Sequence, residues 1–238
     1  MSAVRTSLPE KKLTKALDRI NRAQTRFLRR YPGDTGARQP VHTVYGGAHL
    51  FSADTPKKLG ELAIKSLDTY APDAATFAEA IGIRGDLGPK VLERVREKLK
   101  REPVEDFRID FEDGYGNRSD DEEDGHAIQA AQQVGAGVIA ASLPPFIGIR
   151  IKPLTRDLAA RSLRTLDIFL TELLTATNGR LPENFVVTLP KIQSRTDVET
   201  IVDVFDILED RLDLEGGALQ LELMVETTQT IFDPGGRS

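Results

Sequence analysis

The sequence predicts an α/β protein assembled from strand–helix units, and two patterns carry that prediction. From Val41 onward, short apolar runs alternate with longer stretches whose apolar residues recur at helical spacing, as a parallel sheet with crossover helices requires. The last four strand candidates begin at residues 106, 146, 185 and 219, intervals of 40, 39 and 34 residues, each close to one strand–helix unit. A barrel and a doubly wound sheet both fit that rhythm.

Before the first strand, Ser7-Leu8-Pro9-Glu10 has the form of a capping box. Leu13, Leu17, Ile20, Phe27 and Leu28 follow at helical spacing as far as Tyr31-Pro32-Gly33-Asp34, with Arg19, Arg22, Arg26, Arg29 and Arg30 on the other face. Residues 1–38 therefore read as an N-terminal helical extension and 39–238 as the main domain. The strand candidates are Val41–Tyr45, Asp106–Phe111, Phe146–Ile151, Phe185–Leu189 and Leu219–Val225. Helical stretches lie at Pro56–Leu67, Leu87–Lys100, Gly125–Gln133, Thr155–Ala176 and Arg195–Arg211, and the first connection has room for two helices. Gly82-x-x-Gly85-x-x-Gly88 follows a helical stretch instead of a strand, and no P-loop pattern occurs, so nucleotide-binding fingerprints fail on context.

Composition narrows the class further. A chain of 238 residues with 39% hydrophobic and 29% charged residues, no Cys and no Trp is neither collagenous nor disulfide-stapled. No run approaches the roughly 18 apolar residues of a membrane span, and no apolar signal core opens the chain, which predicts a cytoplasmic protein without a membrane partner. Charge is uneven: residues 1–101 hold 20 Lys+Arg against 11 Asp+Glu, and residues 102–238 hold 12 against 26. The basic half lacks interleaved aromatics, so a solvated helical face is expected and no nucleic-acid partner. Asp120-Asp121-Glu122-Glu123-Asp124-Gly125 fails the calcium-loop template, with Glu at position three and Ala131 at position twelve, and reads as an exposed acidic loop feeding a helix. His42, His49 and His126 are isolated in spacing, and no nucleophile elbow is present.

Reactive groups of βα proteins gather at the C-terminal ends of the strands. Here those ends read Asp110-Phe111-Glu112-Asp113-Gly114, Ile149-Arg150-Ile151-Lys152-Pro153, Leu189-Pro190-Lys191-Ile192-Gln193 and Val225-Glu226-Thr227-Thr228. A hard cation such as Mg²⁺ takes one or two carboxylates plus substrate oxygens, and a guanidinium grips a carboxylate or enolate, so this set could hold a 2-oxo acid. A plain network of strand-end salt bridges fits the spacing too. Gly46 and Gly47, after the first strand, could let substrate approach the backbone or could simply make a turn.

In order and spacing, Asp110-Phe111-Glu112-Asp113, Ile149-Arg150-Ile151, Leu189-Pro190-Lys191-Ile192-Gln193-Ser194 and Val225-Glu226-Thr227 resemble the second to fifth strand ends of the HpcH/HpaI aldolase and citrate lyase β-subunit family. The resemblance spans roughly Val41 to Asp233. It implies a (β/α)8 TIM barrel of the pyruvate/phosphoenolpyruvate superfamily and a Mg²⁺-dependent lyase. Such a lyase cleaves or forms a carbon–carbon bond beside the carbonyl of a 2-oxo acid or acyl-CoA through an enolate. By resemblance Glu226 is the first metal ligand, Arg150 binds the substrate carboxylate, and Glu112 and Asp113 support the metal's water shell and the arginine. Lys191 matches a Leu-Pro-Lys element and is expected to act electrostatically or structurally, without forming a Schiff base. A homo-oligomer, trimer or hexamer, is also implied. The chain ends 12 residues after Glu226, so about five of eight units are expected, without the aspartate that would be the second metal ligand. That open barrel is expected to self-associate and to bind Mg²⁺ poorly. The alternative to a lyase is a non-catalytic barrel fragment acting in association or regulation.

Overall fold

A computed structural model describes residues 7–33, 36–233 and 235–237. They divide into two compact units, Met1–Gln39 and Pro40–Ser238. The first unit is one helix, α1 (Glu10–Arg30), with Glu10 in its first turn and Arg29 and Arg30 in its last, each sign at the end that the helix dipole favours. The expected capping box does not form. Pro9, extended at ψ 134°, occupies the N-cap without a side-chain bond, so Glu10 opens the helix and cannot reach back as a third helical residue would. Asp34, at the expected turn, lies outside the described residues.

The second unit is an α/β fold around a five-stranded, wholly parallel sheet ordered β1-β2-β3-β4-β5. Its strands are β1 (Thr43–Gly47), β2 (Asp106–Asp110), β3 (Phe146–Arg150), β4 (Phe185–Leu189) and β5 (Gln220–Leu223). Between them run α2 (Thr55–Tyr70), α3 (Ala74–Ala80) and α4 (Gly88–Arg101), then α5 (Asp120–Ala140), α6 (Ala159–Ala176) and α7 (Arg195–Arg211), with α8 (Thr228–Ile231) after β5. Spatial order equals chain order, so the reversal that marks a doubly wound sheet does not occur among these strands. Right-handed crossovers laid down in one direction keep their helices on one face.

Packing shows that face. Phe107, Ile109, Ile147, Ile149, Val187 and Leu189 point into one core with Ala127, Ala131 and Val134 of α5, Leu166, Phe169 and Leu173 of α6, and Ile201 and Phe205 of α7. The alternate positions carry polar side chains toward the strand ends and along β2: Asp106, Arg108 and Asp110 on β2, Arg150 on β3, Thr188 on β4 and Glu222 on β5. Arg108 reaches from β2 to Thr188 and Glu222, donating through Nε to both at 3.1 Å. On the intervening strand its register partner is Gly148, which has no side chain to obstruct the path. A Cβ at Gly148 would also fall 2.1 Å from the Val186 carbonyl oxygen. Gly148→Ala is therefore expected to cost about 1–3 kcal/mol, read as a lowered urea midpoint with unchanged m.

Several boundaries differ from the expected ones for identifiable reasons. β1 is shifted two residues later, because its register sets Thr43 against Asp106 and Gly47 against Asp110. The first connection contains three helices, and Phe77 of α3 and Leu92 of α4 close a small second core with Ala71. Ser119 caps α5 by accepting the Glu122 N–H, so the acidic run is the first turn of a helix and not an exposed loop. β5 stops at Leu223, level with the end of β4 at Leu189; Met224 N–H still reaches the Leu189 carbonyl at 3.1 Å. Among the described residues, no helix is long and apolar enough to cross a membrane.

Candidate active site

The C-terminal ends of β2, β3 and β4 bring acids and bases together as one connected group. Asp110 closes β2 with 1% exposure, and its two oxygens accept the N–H groups of Glu112 and Gly114 at 2.9 and 2.7 Å. Those bonds fold the following turn and aim Asp110 at its register partner Arg150. Arg150 donates from Nε and Nη2 to the two oxygens at 2.8 and 2.6 Å, a bidentate pair. Its guanidinium carbon lies 4.6 Å from the centroid of the Tyr45 ring. Of the five guanidinium N–H groups, Asp110 takes two; among the described residues Nη1 meets only Met224 Sδ at 3.9 Å and Glu112 Oε2 at 3.3 Å. Arg150 is thus fixed in place and still has donors for a second carboxylate.

Lys191 leaves β4 in the left-handed region, φ +47°, a conformation uncommon for a residue with a side chain. Its ammonium bonds Glu112 and also both Asp113 oxygens, at 2.9 and 2.8 Å, while its backbone N–H donates to Glu226 Oε1 at 2.8 Å. Glu112, Asp113, Lys191 and Arg150 are therefore joined, and Glu226 enters through the Lys191 amide. A cleft of about 470 Å³ is lined by Glu112, Asp113, Gly116, Asn117, Lys152 and Lys191 among others; Arg150 lies outside its lining. Gly46 and Gly47 make their close approaches to the chain's own atoms. A Cβ at Gly46 would meet the Phe107 ring at 2.7 Å, and one at Gly47 the Gly114 carbonyl at 2.3 Å.

Two features bear on a metal. Among the described residues, no three His, Asp or Glu side chains form a chelating group. Glu226 is nevertheless exposed with Oε2 unbonded among those residues, and Glu112 Oε2 is buried without a hydrogen bond. This donor set fits a water-rich Mg²⁺ held by one carboxylate, not an all-protein cage.

Charged residues to which the sequence reading assigns no role surround this group. Lys152 is buried, donating to the Phe111 carbonyl at 2.6 Å and pairing with Glu123 at 2.7 Å. Below the rim, Glu222 pairs with Arg108 at 3.1 Å and accepts the Thr188 hydroxyl. Burial alone would raise the Glu222 pKa, but the bonds from Arg108 and Thr188 outweigh it and hold the carboxyl below its usual range. Its stabilising contribution is then complete above the ordinary carboxylate pKa and lost as pH falls through the lowered folded value. Glu222→Gln is expected to flatten the acid limb of stability below about pH 5, measured by urea unfolding. The alternation Asp106-x-Arg108-x-Asp110 is the signal that could have revealed this charged face. The histidines are not all isolated, since His49 and His126 lie together beside Tyr115.

Fold and site define the class: an α/β protein whose single-direction parallel sheet carries an acid–arginine–lysine cluster at its C-terminal rim. The chain belongs to the family described as a domain of unknown function (DUF6986), which matches residues 20–238. No curated protein matches the chain.

Proposed function

We propose that this protein is a Mg²⁺-dependent carbon–carbon lyase built on a (β/α)8-type barrel and similar to the HpcH/HpaI aldolase and citrate lyase β-subunit family. The observation that carries the reading is the pinned Arg150, with free N–H donors, beside Glu112 and the Lys191 cleft. Its substrate would be a 2-oxo acid or an acyl-CoA thioester. In the cleavage, the electron pair of the breaking bond passes to the carbonyl-bearing fragment as an enolate, and the proton lost from the hydroxyl later returns to that carbon. Arg150 binds the carboxylate or enolate oxygen, with Asp110 holding it in orientation and Tyr45 covering one face. Glu112 Oε2 accepts a hydrogen bond from bound water or the substrate hydroxyl. Lys191 offsets the charge of Glu112 and Asp113 and positions Glu226. Mg²⁺, held by Glu226 through a largely aqueous shell, would supply Lewis acidity at the same carbonyl.

The test is cleavage of a panel of 3-hydroxyacyl-CoA thioesters and 4-hydroxy-2-oxo acids with and without Mg²⁺. Glu226→Gln, at an exposed residue, is expected to leave the fold intact and lower kcat/KM by at least about 10²-fold. Folded protein that cleaves nothing in the panel would overturn the lyase reading.

A further inference from the structure

We propose that Arg118 and His49, backed by Tyr115 and His126, form a carboxylate-binding subsite on the β1 and β2 side of the rim. This inference goes beyond the lyase reading and does not depend on it. His49 sits in the 3-10 turn Ala48–Leu50 directly after β1, Tyr115 and Arg118 in the loop after β2, and His126 on α5. The His49 and His126 rings lie 5.6 and 5.5 Å from Tyr115 and 6.0 Å from each other, and Tyr115 Oη is 2.8 Å from His126 Nδ1. The Arg118 guanidinium carbon stands 4.7 Å from the centroid of the Tyr115 ring.

Two buried polar atoms in this cluster have no hydrogen-bond partner, His49 Nδ1 and Arg118 Nε. An unmade bond at a buried donor costs about 1–3 kcal/mol, so the Arg118 Nε–H calls for an acceptor, and His49 Nδ1 calls for one when it carries the ring proton. Arg118 already gives Nη1 to Glu122 at 2.7 Å, and its Nε–H is left over. Charge selects the acceptor. The groups facing His49 are Arg118 and Tyr115 from the loop and Glu122 and His126 from α5. Burial, then Arg118 and His126, draw the His49 pKa below its ordinary value, while Glu122 opposes them more weakly. An anion between Arg118 and His49 reverses that balance: it accepts the Nε–H and favours a protonated Nδ1–H. One guanidinium and one imidazole match a single carboxylate. The same loop supplies Gly116 and Asn117 to the neighbouring cleft, so the carboxylate can come from a free small acid or from the acidic end of a ligand lying there.

The chain has three histidines, which makes ring NMR a direct readout. With sodium acetate as probe, the His49 pKa is expected to rise by about one pH unit or more, as an opposite charge at close range requires. His42, whose Nε2 accepts the Glu105 N–H at the other end of β1, is expected not to respond. Arg118→Gln is expected to abolish the acetate effect, and Arg118→Lys, which keeps charge without the Nε–H, to weaken it; circular dichroism confirms that each variant folds. The two sources are separated by 2-oxoglutarate. Tighter binding than acetate that is lost in Arg150→Lys assigns the carboxylate to a larger ligand reaching the rim, whereas equal binding assigns it to a small free acid. A His49 resonance indifferent to acetate in the folded parent would mean that only water fills the gap, and the proposal would fall.

Discussion

Arg150→Met is expected to lower stability by about 3–5 kcal/mol and to abolish the carboxylate binding proposed for Arg150. The stability loss follows from Asp110. At 1% exposure its carboxyl group is held by two bonds from Arg150, and the variant leaves only the N–H groups of Glu112 and Gly114. Glu112 loses its nearest guanidinium as well and depends on Lys191. Urea unfolding of the single variant and of Asp110→Asn with Arg150→Met separates the contributions. The double variant is expected to recover part of the loss, because the buried charge is gone along with its partner. A single variant as stable as the parent would show that the Arg150–Asp110 pair contributes no net stability.

An effect of similar size, about 3–5 kcal/mol, is expected for Glu123→Ala. Glu123 is 1% exposed in the first turn of α5, where it receives the Thr165 hydroxyl from α6 at 2.6 Å and Lys152 from the end of β3 at 2.7 Å. Arg161 of α6 completes the set at 3.6 Å. Removing the acid leaves the Lys152 ammonium buried with one carbonyl acceptor, so Glu123→Leu with Lys152→Met is expected to be milder than the single change. Thermal unfolding of the two variants measures this. Equal loss in single and double variants would mean that packing, not charge, dominates at this helix start.

The strand–helix succession was legible because each buried strand is a short apolar run between turn residues. The limits of β4 and α7 coincide with those read from the sequence, the latter through the reciprocal cap of Ser194 and Asp197. α5 was read too short for a physical reason. Its buried surface is made of small residues, Ala127, Ala130, Ala131 and Gly135, and its first turn hides a charged residue, so apolar periodicity understates it. In the candidate site, the strand-end rule found Glu112, Asp113, Arg150 and Lys191, which do meet. It assigned no role to Asp110, Lys152 or Tyr45. Asp110 and Tyr45 lie within strands on the sheet face opposite the apolar core, and Lys152 meets its acid only through the tertiary pairing of α5 with β3. The nearness of His49 to His126 was equally hidden, since a helix has to dock against a turn 77 residues earlier in the chain (126 − 49).

The unreversed strand order also governs how this sheet can assemble. Each strand pairs only with its predecessor and its successor, so a unit leaving the ribosome can dock on an edge that is already complete, without waiting for distant sequence. Arg108 is an exception. It emerges with the second strand, and its pairing with Glu222 spans 114 residues, so until the fifth strand arrives it has Asp106 as its only acid. The growing sheet therefore adds its layers in synthesis order, yet its charge is balanced only when the last of the five strands arrives.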